Sequence, residues 1–315
     1  MSGKTILITG ACGYLGSHLL RQMGGEVKYR GARLRLIDNL SSGAIRALAD
    51  LPPGPVYAFA EGDILAPGAM RAALGGVDVV VHLAAMVRSP FAFDQPASVT
   101  QVNHWGTVRL LEHCQEAGVR RLVYASSVSV YGPGEDFDEE SACRPIGPYS
   151  CSKREAEAAV LAANGSGLDT TVLRFGSLYG GQLPLTRFNT VPNRFAYLAG
   201  VGRRLPVFGT GAQRRPVVHA DDAARACLWA ADQAGIGGEI FNVVEASPTI
   251  ESVAQSVRGL LPGVHLHYTD QDYRDHLSLS VSGAKLRGAG WMPRRHLEEG
   301  LAELLAHFHG LSGAG

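Results

Sequence analysis

Three residues near the middle of the chain have the types and spacing for moving a proton to and from a hydroxyl group. Tyr149 and Lys153 are four residues apart in a stretch with helical periodicity, which places their side chains on one helix face. A lysine ammonium near a phenol favours the phenolate and lowers the tyrosine pKa, so Tyr149 is a candidate base. Ser127, at the end of an apolar run, can hydrogen-bond the same substrate oxygen.

Tyr-x-x-x-Lys is by itself a common pattern, and an exposed helix pair would show it equally well. The catalytic interpretation depends on the start of the chain, where the apolar run Thr5–Thr9 leads into Gly10, Gly13 and Gly16. Glycines at this spacing let the backbone turn tightly and approach a pyrophosphate, whose charge lies at a helix N-terminus. Asp38 ends the next apolar run, where a carboxylate accepts the ribose hydroxyls and repels a 2′-phosphate. The stretch predicts a dinucleotide site, with NAD as the cofactor.

Strand-like runs alternate with helical stretches through the first half of the chain. This order predicts an α/β fold, a Rossmann-type doubly wound parallel sheet with helices on both faces. Small residues at Ala84 and Ala85 would let a cofactor lie against a strand end. Strands are predicted at 5–9, 34–37, 56–60, 77–83, 121–125, 169–175 and 239–242, and helices at 96–117, 149–163, 191–199, 221–234 and from 297 to near 309.

The rhythm changes near residue 180, after which glycines and prolines are frequent and the segments are shorter. We therefore expect an NAD-binding Rossmann domain at 1–180. The remainder, 181–315, is expected to be mainly a smaller substrate-binding domain, with some segments returning to complete the sheet.

The composition argues against several classes of protein. The chain has 315 residues, 46% hydrophobic and 18% charged, and its zero net charge gives no reason to expect a nucleic acid partner. No apolar run approaches the roughly 18 residues of a membrane span, and we expect no signal peptide and no membrane association. The five cysteines lack paired CxxC spacing, which argues against a metal site or disulfide framework and favours a cytoplasmic location.

Ordered motifs along nearly the whole chain resemble an extended short-chain dehydrogenase/reductase of the NAD-dependent epimerase/dehydratase group. They are most similar to those of nucleotide-sugar 4-epimerases. The matching segments are TGACGYLG at 9–16, DNLSSG at 38–43, GDI at 62–64, HLAA at 82–85, NHWGT at 103–107, SSVSVYG at 126–132, PYSCSK at 148–153, LRFGSLYG at 173–180, PVFGTGAQRRPVVHADD at 206–222, FNV at 241–243 and GWMP at 290–293.

The resemblance implies that Ser127, Tyr149 and Lys153 form a catalytic triad and that Lys153 also holds the nicotinamide ribose. It implies that Asp63 and Ile64 contact the adenine. Through the matched motifs it implies further cofactor contacts at Tyr14, Leu15, Asn39, Ser42, Gly43, Leu83, Ala84, Ala85, Asn103 and Tyr149.

The resemblance also implies a nucleoside-diphosphate sugar as the substrate and a homodimer formed through the helices at 96–117 and 149–163. Arg215 matches the arginine that grips the diphosphate, and a guanidinium fork suits two phosphate oxygens. A plain surface arginine beside Arg214 is the alternative. The other implied substrate contacts, several of which could equally be plain loop residues, are Arg88, Ser89, Ser127, Ser177, Asn193 and Arg274.

Two departures from the family pattern bear on the reaction. Ser177 stands where the family usually has asparagine, which leaves the sugar or nucleotide contact there open. Ser127 is followed by Val128 and Ser129, where 4,6-dehydratases carry an Asp-Glu pair and related decarboxylases a glutamate. Eliminating water needs an additional acid and base, so this motif favours hydride transfer with a single proton relay.

These features together predict an NAD-dependent epimerase that oxidises a nucleoside-diphosphate sugar transiently at C4, through a 4-keto intermediate. The alternatives are a sugar-nucleotide ketoreductase, dehydrogenase or dehydratase on the same scaffold. A non-catalytic NAD-sensing protein is a further alternative, although such proteins tend to lose the tyrosine or the lysine, and this chain has both.

Overall fold

The apolar runs become strands in the computed structural model, which describes residues 3–41, 44–87, 95–165, 167–181, 188–270 and 278–308. The strands within these residues are β1 (Thr5–Thr9), β2 (Arg33–Asp38), β3 (Val56–Glu61), β4 (Val79–His82), β5 (Arg121–Ser127), β6 (Gly134–Phe137), β7 (Asp169–Phe175), β8 (Ser177–Tyr179), β9 (Leu205–Phe208), β10 (Val217–His219), β11 (Ile240–Val243), β12 (Leu266–Thr269) and β13 (Leu279–Val281).

Seven strands form one sheet, in the order β11-β7-β5-β4-β1-β2-β3. β1 lies between β4 and β2, is parallel to both and is buried at all five positions. A strand that is covered on both faces needs apolar residues at successive positions, which Ile6, Leu7 and Ile8 supply. The predicted α/β fold with a Rossmann-type sheet is confirmed.

Helices alternate with these strands along the chain. They are α1 (Tyr14–Gly25), α2 (Pro67–Leu74), α3 (Pro96–Thr100), α4 (Gly106–Glu116), α5 (Pro148–Ala162), α6 (Val191–Gly200), α7 (Ala220–Asp232), α8 (Ile250–Leu260), α9 (Ala284–Gly288) and α10 (Leu297–Ala306). One core cluster joins strand residues such as Val80 and Leu122 to Leu110 of α4 and Val160 of α5. This packing fixes α5 against the strands whose ends form the candidate site.

The chain divides into two compact units. The first contains Met1–Val130, Cys143–Arg174 and Ala224–Phe241, and it includes most of the seven-stranded sheet. The second contains Tyr131–Ala142, Phe175–Ala223 and Asn242–Gly315. Its core packs α6, α8 and α10 together with β9. What each unit binds stays a prediction.

The predicted helix at 96–117 is interrupted. A π-helical turn, Gln101–Trp105, separates α3 from α4. The side chain of Asn103 within this turn makes hydrogen bonds in both directions with the backbone of Met86, at 2.8 and 3.0 Å. A π turn of five residues is shorter than the window over which an apolar pattern is recognised, so periodicity does not detect it.

Among the residues described, we find no helix that is both long enough and apolar enough to cross a membrane.

Candidate active site

The turn after β1 is built so that only glycine fits at two positions. Gly10 has φ +71°, and a Cβ there would lie 2.7 Å from the backbone nitrogen of Ala84. A Cβ on Gly16 would lie 2.5 Å from the carbonyl oxygen of Gly10. Gly13 is the N-cap of α1 and has no side chain to cover the first amides of that helix. The turn therefore presents backbone N–H groups at a helix N-terminus, the donor set that suits a pyrophosphate.

Asp38 ends β2 and is 9% exposed, and two backbone amides fix its carboxylate. Cys12 N–H donates to Oδ2 at 3.0 Å, and Leu40 N–H donates to Oδ1 at 2.8 Å. An ionised carboxylate has about four acceptor positions, so two bonds leave capacity for ribose hydroxyl donors. The glycine cradle and Asp38 together fit the adenosine end of NAD.

The residues predicted to contact the adenine begin at the end of the neighbouring strand, β3. Asn39 Nδ2 donates to Asp63 Oδ2 at 2.8 Å, and Leu65 N–H donates to Asp63 Oδ1 at the same distance. The Ile64 side chain is packed into the core, where it lies against Gly106. The structure thus brings Asn39 and Asp63 together, and the contact of Asp63 and Ile64 with the adenine stays a prediction.

A buried hydrogen-bond chain, missed in the sequence, supports the strand end at Ala84. Thr107 donates its hydroxyl proton to the Asn103 carbonyl at 2.7 Å, so it accepts from His82 Nε2 at 3.0 Å. His82 Nδ1 then accepts from the Thr9 hydroxyl at 2.7 Å, and Thr9 Oγ1 accepts from Ala84 N–H at 3.2 Å. Burial lowers the His82 pKa to about 3, which keeps the ring neutral. These hydrogen bonds hold in place the backbone at Ala84, against which a cofactor would lie.

Asn103 connects this strand end to the start of α5. Its Nδ2 donates to the Ser152 hydroxyl at 3.1 Å, and Ser152 donates to the carbonyl oxygen of Tyr149 at 2.9 Å. Asn103 is 1% exposed. The predicted cofactor role of Asn103 stays a prediction, whereas its contacts hold Met86 and the first turn of α5 in place.

The predicted triad lies at the end of β5 and the start of α5. Ser127 is the last residue of β5, and its Oγ accepts the N–H of Ser129 at 3.2 Å. Tyr149 is the second residue of α5 and is half-buried, and Lys153 follows one turn later with 3% of its surface exposed. The helix thus places the phenol and the ammonium on one face, as the spacing predicts.

Lys153 is held by β5. Its Nζ donates to the Ala125 carbonyl at 2.7 Å and lies 4.7 Å from the centre of the Tyr124 ring. Burial lowers the Lys153 pKa from 10.5 to about 7, and the charge of Glu157 opposes this shift. Because this pKa is near neutral pH, a change in the charges around Lys153 changes the fraction of the lysine that is protonated.

Sequence reasoning missed a buried ion pair one turn beyond Lys153. Glu157 is 0% exposed and makes two bonds to Arg174 of β7, Nε to Oε1 at 2.9 Å and Nη2 to Oε2 at 2.8 Å. Ser126 Oγ also donates to Glu157 Oε1, at 2.6 Å. A signal was present in the sequence, since an arginine inside an apolar strand needs a partner carboxylate.

Of the predicted substrate residues that are described, Ser127 belongs to the first unit, and the other three belong to the second. Asn193 of α6 is 0% exposed, and its Oδ1 accepts the N–H of Gly180 at 2.9 Å. Ser177 begins β8 and is half-buried. Arg215 donates from Nη1 to the Arg214 carbonyl at 2.9 Å. Five predicted site residues lie outside the described residues: Ser42, Gly43, Arg88, Ser89 and Arg274.

Within the described part of the chain, no group of three or more His, Cys, Asp or Glu side chains could hold a metal ion. All five cysteines are free thiols.

Residues 6–243 match the model of the NAD dependent epimerase/dehydratase family. The match covers more than half of the chain. The chain belongs to this family. Its cofactor is therefore NAD, which agrees with the fit of the glycine cradle and Asp38.

Relatives within the family include both of its named activities. A dTDP-glucose 4,6-dehydratase of Streptomyces griseus is 31% identical over 314 residues, covering 96% of this chain and 94% of the relative. A UDP-glucose 4-epimerase of Thermotoga maritima, solved with UDP-glucose, has a TM-score of 0.85 at 26% identity and covers 96% and 98% of the two chains. DesIV, a dTDP-glucose 4,6-dehydratase of Streptomyces venezuelae solved with NAD, has a TM-score of 0.84 at 29% identity and covers 96% of each chain.

The chain also matches a trifunctional UDP-glucose 4,6-dehydratase, epimerase and reductase of Arabidopsis thaliana, at 29% identity over 317 residues. It spans about half of that relative, 46% of its length, while 96% of this chain is covered. Epimerases and dehydratases are thus both similar to this chain, so the comparisons distinguish the family and not the reaction within it.

Proposed function

We propose that this chain is an NAD-dependent epimerase of a nucleoside-diphosphate sugar, acting by transient oxidation at C4. The observation that carries the proposal is the pair of residues after Ser127. Val128 is 5% exposed, and Ser129 offers only a hydroxyl. Elimination of water needs an acid and a base in addition to the tyrosine, and neither residue supplies one. Epimerisation needs only the groups that Ser127, Tyr149 and Lys153 provide.

Each member of the triad has a role that matches its surroundings. Tyr149 accepts the proton of the C4 hydroxyl, and the Lys153 ammonium one helical turn away stabilises the phenolate. Ser127 accepts a backbone N–H at its Oγ, so its own O–H can be donated to the C4 oxygen.

The proposed reaction returns every proton and hydride to the sugar. NAD, which the glycine turn after β1 and Asp38 would hold, would supply the acceptor for the C4 hydride and the donor that gives the hydride back. Tyr149 takes the hydroxyl proton as C4 becomes a carbonyl and gives it back when the carbonyl is reduced on its opposite face. Between the two steps, the 4-keto sugar must rotate so that its opposite face receives the hydride. The product has the same mass as the substrate.

The substrate class is supported by the relatives and by Arg215. The Thermotoga maritima epimerase was solved with UDP-glucose, and both Streptomyces relatives are named for dTDP-glucose. A guanidinium has five N–H donors, so the bond from Arg215 to the Arg214 carbonyl is compatible with a bidentate phosphate contact.

We also propose a homodimer formed through α3 to α5 and a cytoplasmic location. Sedimentation as a monomer at micromolar concentration would refute the dimer.

A 4,6-dehydratase is the second candidate, because three of the relatives described above are named for that activity. It would require acid and base groups from positions other than Val128 and Ser129. A ketoreductase or dehydrogenase would use the same three catalytic residues with an exchanging cofactor.

The test is to incubate the purified enzyme with UDP-, dTDP-, GDP- and CDP-sugars and to follow product mass, product stereochemistry and NADH absorbance. A second stereoisomer of unchanged mass with no net NADH is the expected result. Loss of the mass of one water would establish the dehydratase, and stoichiometric NADH change would establish the dehydrogenase or ketoreductase. The Tyr149→Phe variant is the matched control, because it keeps the cofactor site and lacks only the proton-transfer group.

A further inference from the structure

One face of α5 contains a third ionisable residue beside the two that the proposed function uses. Tyr149, Lys153 and Glu157 follow one another at intervals of four residues, so their side chains lie along one stripe of the helix. Glu157 is 0% exposed, although the stripe begins at the half-buried Tyr149. A carboxylate is placed in a protein interior only when donors compensate for its desolvation.

Glu157 has a full set of such donors. The Arg174 guanidinium binds both carboxylate oxygens, and Ser126 donates to Oε1. Arg154, whose side chain is 41% exposed, approaches Oε2 at 3.4 Å. The carboxylate is therefore fixed in orientation as well as in position, by one residue from β5, one from β7 and one from its own helix.

The same short segment of β5 contacts both Lys153 and Glu157. Ala125 accepts from Lys153 Nζ at 2.7 Å, and the next residue, Ser126, donates to Glu157 at 2.6 Å. The residue after that is Ser127. Three consecutive residues of β5 thus connect the ammonium, the buried carboxylate and the triad serine.

We propose that Glu157, oriented by Arg174 and Ser126, is a positioning residue that keeps Lys153 protonated and thereby keeps Tyr149 acidic. The proposal rests on Tyr149 being the base of the proposed function. Glu157 acts through Lys153 and does not itself contact the sugar.

Among the residues that the structure describes, the other ionisable groups around Lys153 do not supply a negative charge near neutral pH. His82 of β4 is neutral, because burial lowers its pKa to about 3. Tyr124 of β5 is a neutral phenol, since burial raises its pKa well above 10. Tyr149 is the group whose ionisation is in question. Of the groups that face Lys153, Glu157 is thus the carboxylate that opposes its loss of charge.

Charged and titratable groups also surround Glu157 itself. Arg174 and Arg154 contact it directly. The Cys143 thiol lies near Arg174 and Glu157, and burial raises its pKa, so it stays uncharged near neutral pH. Arg174 balances the charge of Glu157 from the side of β7, whereas Lys153 lies one turn earlier on the same helix.

The proposal predicts the direction of a measurable shift. Removing the Glu157 charge lowers the Lys153 pKa further below its already depressed value of about 7. Tyr149 then loses a neighbouring cation, so its phenolate is less favoured and its pKa rises. A shift of about one pH unit is the expected size for the loss of one neighbouring charge.

The experiment is an absorbance titration of the NAD-loaded enzyme in the tyrosinate band, without any sugar nucleotide. The chain has 10 tyrosines, so the titration of Tyr149 is obtained as the difference between an enzyme and the same enzyme with Tyr149→Phe. Glu157→Gln is expected to shift this difference curve to higher pH, and Glu157→Asp is expected to restore part of the shift. When the substrate is known, the acid limb of the rate profile should move in the same direction.

Two further variants separate this role from simple structural support. Glu155→Gln removes the same charge from the same helix, at a side chain that is 52% exposed and pairs with His104, and it is expected to leave the Tyr149 titration unchanged. Glu157→Gln combined with Arg174→Met removes both buried charges. If Glu157 serves only to neutralise Arg174, this double variant will restore the wild-type titration, whereas the proposal predicts that the shift remains.

Thermal unfolding establishes which variants are folded, and the double variant decides the question if Glu157→Gln alone does not fold. An unchanged Tyr149 titration in a folded Glu157 variant, or its restoration in the double variant, would overturn the proposal. Because no sugar is present, this result is independent of whether the enzyme epimerises, dehydrates or reduces its substrate. If none of the sugar nucleotides is epimerised, the proposed function is refuted, but the conclusion about Glu157 does not change.

Discussion

Asp38 is the residue at which cofactor choice is expected to be decided, and Asp38→Ala tests this. Its carboxylate is held by Cys12 N–H at 3.0 Å and Leu40 N–H at 2.8 Å. About two of its four acceptor positions remain for the ribose hydroxyls of NAD. A 2′-phosphate would place its negative charge against the same carboxylate, which is why NADP is expected to bind more weakly.

The size of the effect follows from these bonds. A hydrogen bond to a charged group contributes about 1.5–3 kcal/mol, and water forms part of the bonds to the ribose that the alanine variant no longer makes. One such bond is therefore a conservative measure of the net loss, and it corresponds to a roughly 10- to 100-fold rise in the Kd for NAD. In the variant, the 2′-phosphate of NADP no longer meets the negative charge of Asp38. The Kd for NADP divided by the Kd for NAD should therefore fall by at least about tenfold.

The assay is a fluorescence or calorimetric titration of each variant with NAD and with NADP. Glu61→Gln is the control, because Glu61 is the register partner of Asp38 on β3 and is exposed, and its substitution removes the same charge from the neighbouring strand. Of the two variants, only Asp38→Ala should reduce the preference for NAD over NADP. An NAD affinity within about twofold of wild type, or equal narrowing in both variants, would refute the assignment of Asp38 to the ribose.

Three other outcomes are expected. Tyr149→Phe should lower turnover by roughly 10²- to 10⁴-fold while NAD affinity and the unfolding temperature stay nearly unchanged; near wild-type turnover would remove Tyr149 from the mechanism. Arg215→Ala should raise KM far more for a sugar nucleotide than for an analogue without the diphosphate, whereas equal effects would place Arg215 elsewhere. Stability should fall with acid between pH 6.5 and about 3 as buried His82 is forced to take a proton, and His82→Gln should flatten this fall in pH-dependent unfolding.

Both epimerases and dehydratases are similar to this chain, so the residues at Val128 and Ser129 carry information about the reaction that the relatives do not give. The similarity to dehydratases extends over nearly the whole chain, so it reflects the shared fold and cofactor site as much as the reaction. The reaction of a family member depends on which ionisable groups reach its substrate. A hydroxyl and a buried valine after Ser127 do not supply the pair that elimination requires.

Local features of the cofactor site could be predicted from the sequence, because short-range geometry determines them. Glycine is required at residues 10 and 16 because other backbone atoms lie close to both positions. A Cβ on Gly10 would collide with the backbone of Ala84, and a Cβ on Gly16 would collide with the carbonyl oxygen of Gly10. The four-residue interval between Tyr149 and Lys153 fixes a common helix face wherever the helix lies. The alternation of strands and helices likewise predicted the Rossmann-type sheet, since parallel strands need crossover helices.

Long-range pairings were not predictable in the same way. His82 joins residues 73 positions before it and 25 positions after it in one hydrogen-bond chain. Asn103 lies in a short π turn, and its bonds to Met86 join residues 17 positions apart, which local spacing does not predict.

What the sequence alone determined is therefore the set of reactive groups and the elements that carry them, because turn sterics and helical spacing act over a few residues. The tertiary structure alone decided the environment that sets their charge. Lys153 has a depressed pKa because α5 packs its face against β5, and Glu157 is stable in the interior because Arg174 arrives from β7. Burial and ion pairing arise only when distant segments meet, and they change the free energy of a charge more than any neighbour in the sequence does.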